Sequence, residues 1–168
     1  MNANHNAPAA DQCRIDGPRA EPILEFKSFA YPLVGGPGVD LAVSPGAVRR
    51  DSAGRATLLH FAPGRFLLPA PTPDLARQID SLAHAGVGVA FDVDGKWREL
   101  TITGSGADRL LSSAADVAAI LAHRDCAALH LFDCPVVLAR RTDGFDLWVQ
   151  ASYATDFRET LDRIREQR

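Results

Sequence analysis

VVLARRTDGFDLWVQASYATDFRETLDRI, residues 136–164, carries the reading that decides the fold. Val136 to Arg140 alternates as a half-buried strand, Asp143-Gly144 supplies a hairpin turn, and Phe145 to Val149 returns. Ser152 then stands as the N-cap of a helix whose Tyr153, Phe157, Leu161 and Ile164 fall on one stripe. An earlier stretch, LLHFAPGRFLLPAPTPDLARQIDSL at 58–82, repeats the plan. Leu58 to Phe61 reads as a strand, Pro63-Gly64 as a turn, and Phe66 to Leu68 as the returning strand. Thr72-Pro73-Asp74 opens a helix with a hydroxyl cap, a Pro at the first helical position and an acid in the positive first turn. Leu75, Ile79 and Leu82 follow at helical spacing, and Gly86 closes the helix. Two such hairpin-plus-helix modules predict an α+β domain of two pseudo-symmetric ferredoxin-like halves.

Between the modules lies FDVDGKWRELTITGSGADRLL, residues 91–111. Val89, Phe91 and Val93 alternate as a strand, and Asp94-Gly95 suits a tight hairpin because Gly accepts a positive φ. Trp97 to Thr103 forms the next strand, with Leu100 and Ile102 on one face. Ser105 and Asp108 make a capping-box pattern ahead of Leu110 and Leu111. A helical run at Asp116–His123 and a strand at Ala127–Phe132 complete this part.

Residues 1–22 are small, polar and proline-containing, and are expected to be a flexible tail ahead of a single domain at 23–168, with order beginning near Ile23. Phe26, Phe29 and Tyr31 precede the Gly-Gly-Pro-Gly breaker at 35–38. Val39 to Val43 reads as a short strand closed by Ser44-Pro45-Gly46. Arg49, Arg50 and Arg55 fall in a polar stretch at 46–55 that reads as a solvated loop.

The chain has 168 residues, 46% of them hydrophobic, enough to bury a core without covalent staples. A net charge of -3 and a pI near 5.9 leave no broad basic face for nucleic acid. Cys13, Cys126 and Cys134 are an odd set without disulfide spacing, which together with the lack of a signal-peptide layout or a membrane-spanning run predicts a reduced, cytoplasmic protein.

His123, Cys126, His130 and Cys134 offer zinc-compatible donor types. A strand through 127–132 would spread His130 and Cys134 about 13 Å along its axis, so core filler is the expected role. Gly104 to Gly106 lacks the dinucleotide fingerprint and the P-loop lysine, and reads as helix entry. Asp92 and Asp94 share a strand face but read as turn and solvation residues, since no partner is anchored to them by spacing. No G-x-S-x-G elbow is present. The residues themselves favour a binding or structural domain and assign no catalytic, cofactor-binding or metal residue.

The segments LLHFAPGRFLLPAP (58–71), FDVDGKWRELTITGSGADRLLSS (91–113), DV (116–117) and PVVLARRTDGFDLWVQASYATDFRETL (135–161) occur in an order that resembles the γ subunit of heterotetrameric sarcosine oxidase. The likeness spans most of 24–165. Ala62-Pro63-Gly64-Arg65 departs from the family, which often has an acid before the aromatic, as does the missing Gly at Ser112–Ala114. The resemblance implies a fold like the folate-binding domain of aminomethyltransferases. It also implies a non-catalytic subunit that docks α, β and δ subunits in a complex converting sarcosine to glycine. FAD, FMN, NAD, tetrahydrofolate and zinc would belong to those partners. Phe26, Phe29, Tyr31, Trp97 and Trp148 are then candidates for docking or for the core beneath it. The rivals are a γ-like subunit of another N-methyl amino acid dehydrogenase, such as N-methylglutamate dehydrogenase, and a stand-alone folate-binding or aminomethyl-transferring protein. The chain has about half the length of such transferases, which normally add further domains.

Overall fold

A computed structural model of the protein describes residues 13–29 and 44–167. The chain runs β1 (Arg14–Arg19), β2 (Ile23–Ser28), β3 (Val48–Arg50), β4 (Ala56–Ala62), β5 (Arg65–Pro69), α1 (Pro73–His84) and β6 (Gly88–Asp92). It continues with β7 (Trp97–Thr103), α2 (Ala107–Leu111), α3 (Val117–Ile120), β8 (Cys126–Leu131), β9 (Cys134–Arg140), β10 (Gly144–Gln150) and α4 (Ala154–Glu166). Among the described residues, ten strands make two five-stranded antiparallel sheets, ordered β3-β4-β5-β2-β6 and β8-β9-β10-β7-β1. In both, the hairpin lies beside the first strand of its half, in the ferredoxin-like order, with one extra strand (β3 or β8) on the hairpin's outer edge. The two modules read from the sequence are therefore present as β4-β5-α1 and β9-β10-α4.

The halves close differently. After α1 the first half returns as β6 beside β2. The second half ends on α4, and the matching slot beside β7 is filled by β1 from the other end of the chain. Residues 14–19 are thus a strand where a tail was expected. Their polar composition hid one buried anchor, Ile15, which is 5% exposed, and the Gly17 carbonyl that accepts from Arg158 Nη1 at 2.7 Å.

Three apolar layers hold the molecule. Phe157 and Leu161 of α4 pack with Leu100, Ile102 and Leu138 on one outer side. Ile79 of α1 packs with Phe26, Leu58, Phe66 and Leu68 on the other. Ile23, Leu59, Leu67, Trp97, Val137 and Trp148 fill the space between the sheets. The order is helix, sheet, sheet, helix.

Thr72 caps α1 as its sequence predicts, accepting from Leu75 N at 3.3 Å. Gly144 has φ +153°, and a Cβ there would collide with the Ile102 carbonyl, so the Asp143-Gly144 turn requires glycine. Other local expectations are corrected. Strands β6 and β7 are not a hairpin: they lie in different sheets, and Asp94-Gly95 carries the chain across. Gly95 is not among the positive-φ glycines, and Asp94 Oδ1 instead accepts from Ile23 N at 2.6 Å. Ser105 and Ser152 are not caps; Gly106 and Tyr153 hold those positions without a side-chain bond. The helical run at 116–123 shortens to α3, capped by Asp116, which accepts from Ala119 N at 3.0 Å. The loop expected at 46–55 contains β3. Tyr31, the breaker at 35–38, the strand expected at Val39 to Val43 and residues 1–12 lie outside the described residues. No described helix is long and apolar enough to cross a membrane.

Candidate functional site: two clefts between the sheets

Strand register puts a buried carboxylate on the inter-sheet face of each half. Phe66 pairs with Phe26, and Phe145 with Ile102, so the two Phe-led strands superpose. One residue on, Leu67 pairs with Glu25 while Asp146 pairs with Thr101. The halves thus place their charge on neighbouring strands: Glu25 on β2 of one sheet, Asp146 on β10 of the other. They are 6% and 2% exposed.

Each carboxylate holds two cations, one of them from outside its own sheet: Arg50 of the opposite sheet for Asp146, and Lys96 of the turn between β6 and β7 for Glu25. Asp146 accepts from Arg50 Nη1 at 2.8 Å and Arg141 Nη1 at 3.1 Å. Arg50 also donates to Gly54 O at 2.8 Å and to Arg140 O at 2.5 Å. It is therefore a clasp between the sheets and not the solvated loop arginine its surroundings suggested. Glu25 accepts from Arg65 and from Lys96 Nζ, the latter at 2.9 Å. Burial pushes the Glu25 carboxyl up, but the hydrogen bonds from Arg65 and Lys96 outweigh it and leave the acid below its ordinary range. The stability it contributes is present at neutral pH and is lost as pH falls through its depressed folded value.

Two pseudo-equivalent clefts flank the central apolar seam. The first, of about 200 Å³, is lined by Arg19, Glu21, Arg55, Thr57, Glu99 and Asp146, among others. Burial, then repulsion from Glu21 and Asp146, pushes the Glu99 acid up to about 7 against the opposing pull of Arg19. Near neutrality Glu99 can hold a proton that it shares by hydrogen bonding with Glu21. This cleft is lined by carboxyls that can exchange a proton and by the hydroxyls of Thr57, Thr72 and Thr101.

The raised acid gives a pH signature. The folded value lies above the ordinary 4.5, so its stabilising effect is complete below that pH and is lost as pH rises through about 7. Glu99→Gln cannot ionise. It is expected to exceed the wild type at pH 8 by about 1–2 kcal/mol, a figure discounted for the part of the group in contact with solvent, and to match it near pH 5. Thermal melts across that range check this; equal melting points at pH 8 would remove Glu99 from the account.

The second cleft, of about 250 Å³, is lined by Phe61, Arg65, Lys96, Trp97, His130 and Val137, among others. The Arg65 guanidinium lies 5.0 Å from the Phe61 ring centroid, and Lys96 Nζ 5.0 Å from that of Trp97. Trp97 and Trp148 are buried, and neither Nε1 finds an acceptor among the described residues.

The other residues singled out by sequence are dispersed. Cys126 packs between the sheets and Cys134 on the helix side of the same sheet, while His123 and His130 are exposed. Burial pushes the Cys126 thiol up to about 12, which suits a packing role. No described group of three or more His, Cys, Asp or Glu side chains is arranged to hold a metal ion. Asp92 Oδ1 accepts from Asp94 N at 3.2 Å, a turn contact, and Gly104 O receives Ala107 N at 3.1 Å at the entry to α2. Of the aromatic candidates, Phe26, Trp97 and Trp148 are core, whereas Phe29, just past the end of β2, is 64% exposed. Sequence reasoning missed Glu25 and Asp146. The available signal was a charge inside an apolar strand, I-L-E-F and F-D-L-W-V.

No protein-family model matches the chain, and no curated protein matches it. Among solved structures it is similar to a chain of heterotetrameric sarcosine oxidase from Corynebacterium sp. U-96, solved in complex with pyrrole 2-carboxylate. The TM-score is 0.70 at 19% identity, covering 95% of this chain and 87% of that one. At that identity the likeness is one of fold.

Proposed function

We propose that the chain is a γ-type, non-catalytic subunit of a heterotetrameric complex of the sarcosine oxidase kind. The observation that carries the reading is the two-sided match, 95% of this chain against 87% of a chain from such a complex. A likeness of nearly whole chains fits a shared subunit better than a shared motif. The geometry supports the same role. Its buried carboxylates Glu25 and Asp146 are spent on internal ion pairs, and the exposed Phe91 lies on the edge strand β6, with the exposed Phe29 at the far end of the β2–β6 pair. Exposed aromatics on an apolar strand edge suit an interface. In this reading α, β and δ partners carry the flavins, NAD, folate site and zinc, and the whole assembly demethylates sarcosine to glycine.

Affinity capture of the tagged full-length chain from extracts of its own organism tests the proposal. The expected result is co-purification of flavin-absorbing partners with sarcosine-dependent turnover that the isolated chain lacks. Turnover by the chain alone, or capture of the folded chain without flavoprotein partners, overturns it.

A further inference from the structure

We propose that the second cleft is a binding site for a small aromatic carboxylate, with Lys96 and Arg65 holding the anion and the ring resting on the apolar lining to which Phe61, Trp97, Pro135 and Val137 contribute. Glu25 organises the site from below. It is 6% exposed and draws both cations to the mouth of the cleft, where their side chains keep 41% and 43% of their surface in solvent. One carboxylate against two cations leaves a net positive charge in a protein of net charge -3. The donors are not exhausted by Glu25. An ammonium carries three N–H groups and a guanidinium five, and Lys96 and Arg65 are each seen to use one on that carboxylate. Both cations also sit 5.0 Å from an aromatic centroid, so charge and ring surface meet in one place. The cleft of about 250 Å³ admits a single ring and little more.

The pseudo-equivalent first cleft shows why this one is selective. There three arginines, Arg19, Arg55 and Arg141, stand against the four acids Glu21, Asp51, Glu99 and Asp146, so no positive charge is left in excess for an added anion. The site is independent of the docking role: it faces the seam at the β4–β5 turn, and it stands or falls without the partners.

Benzoate is the probe, titrated into the full-length chain by calorimetry and by the emission of Trp97 and Trp148, the protein's two tryptophans. Saturable binding with a dissociation constant of about 1 mM or tighter is expected, and benzyl alcohol of the same shape should bind at least about tenfold more weakly. Lys96→Met should weaken benzoate about fivefold. Glu25→Gln should act in the opposite direction, tightening benzoate about fivefold by releasing both cations from their internal counter-charge. General loosening of the fold would weaken both variants, so opposite signs separate recognition from damage. If Glu25→Gln does not fold, the comparison of benzoate with benzyl alcohol on the wild type decides alone. No saturation below about 10 mM, equal affinity for the alcohol, or weaker benzoate binding by a folded Glu25→Gln overturns the proposal.

Discussion

Asp146→Ala is expected to destabilise the protein by about 3–5 kcal/mol, with a fall in melting temperature of roughly 10 °C. Asp146 is 2% exposed and is the counter-charge of both Arg50 and Arg141, whose side chains are 23% and 25% exposed. Removing it strands two guanidiniums at the joint between the sheets. Arg50 cannot simply swing into water, because it also holds Gly54 O and Arg140 O. Glu25→Ala should cost less, since Arg65 and Lys96 are more exposed and can turn toward solvent. The pseudo-symmetry supplies a control. The position equivalent to Asp146 in the other half is Leu67, so Asp146→Leu combined with Arg50→Met replaces the clasp by apolar contact. That pair should recover most of the loss, because exchanging a buried ion pair for well-packed apolar groups is often neutral. Urea denaturation measures both. A loss below about 1 kcal/mol for Asp146→Ala would show that the clasp does not hold the sheets together.

What was legible in the sequence follows the physics of each signal. The modules β4-β5-α1 and β9-β10-α4 were readable because alternation, a Gly turn and an amphipathic stripe are local, and all three pointed the same way. Fold class followed from repetition. Crossing from β6 to β7 was misread because Asp94-Gly95 has the composition of a hairpin turn, and only pairing partners seventy residues away decide which sheet each strand joins. Ser105 and Ser152 looked like caps for a similar reason: a cap is a geometry, and the turns closed by Ala107 N on Gly104 O and by Ala154 N on Ala151 O put the cap one residue past each hydroxyl. The clefts were not legible at all. Arg50 and Asp146 are 96 residues apart, and nothing in the neighbourhood of either announces the other. The clue lay in the anomaly of a lone acid in an otherwise apolar strand, a position where burial without a partner would be costly and a distant cation is therefore implied.

Deletion of residues 1–19 is expected to remove about 4–6 kcal/mol and leave an aggregation-prone chain. The deletion takes away Ile15 from the layer beneath α4, the acceptor of Arg158, and the whole antiparallel ladder on the outer edge of β7. Strand β7 then becomes a bare edge carrying Leu100 and Ile102. A tail would be dispensable; a fifth strand is not. The topology also says how the loss can be repaired. Gly88 opens β6 opposite Ser28, the last residue of β2, and Arg14 opens β1 opposite Thr103, the last residue of β7. The two strands enter equivalent slots from the same end, and in the first half three residues suffice to join α1 to β6. Arg165 of α4 lies close enough to Cys13 to lower its thiol against the larger upward push of burial, so the end of α4 and the start of β1 are neighbours. A permuted chain that starts at residue 20 and carries residues 13–19 after Arg168 through a short Gly-Ser linker should therefore fold, within about 2 kcal/mol of the wild type. Circular dichroism melts of the deletion and the permutant give the answer together. If the deletion melts like the wild type, β1 does not belong to the second half; if both fail, its contribution lies in the link to β2 and not in the slot beside β7.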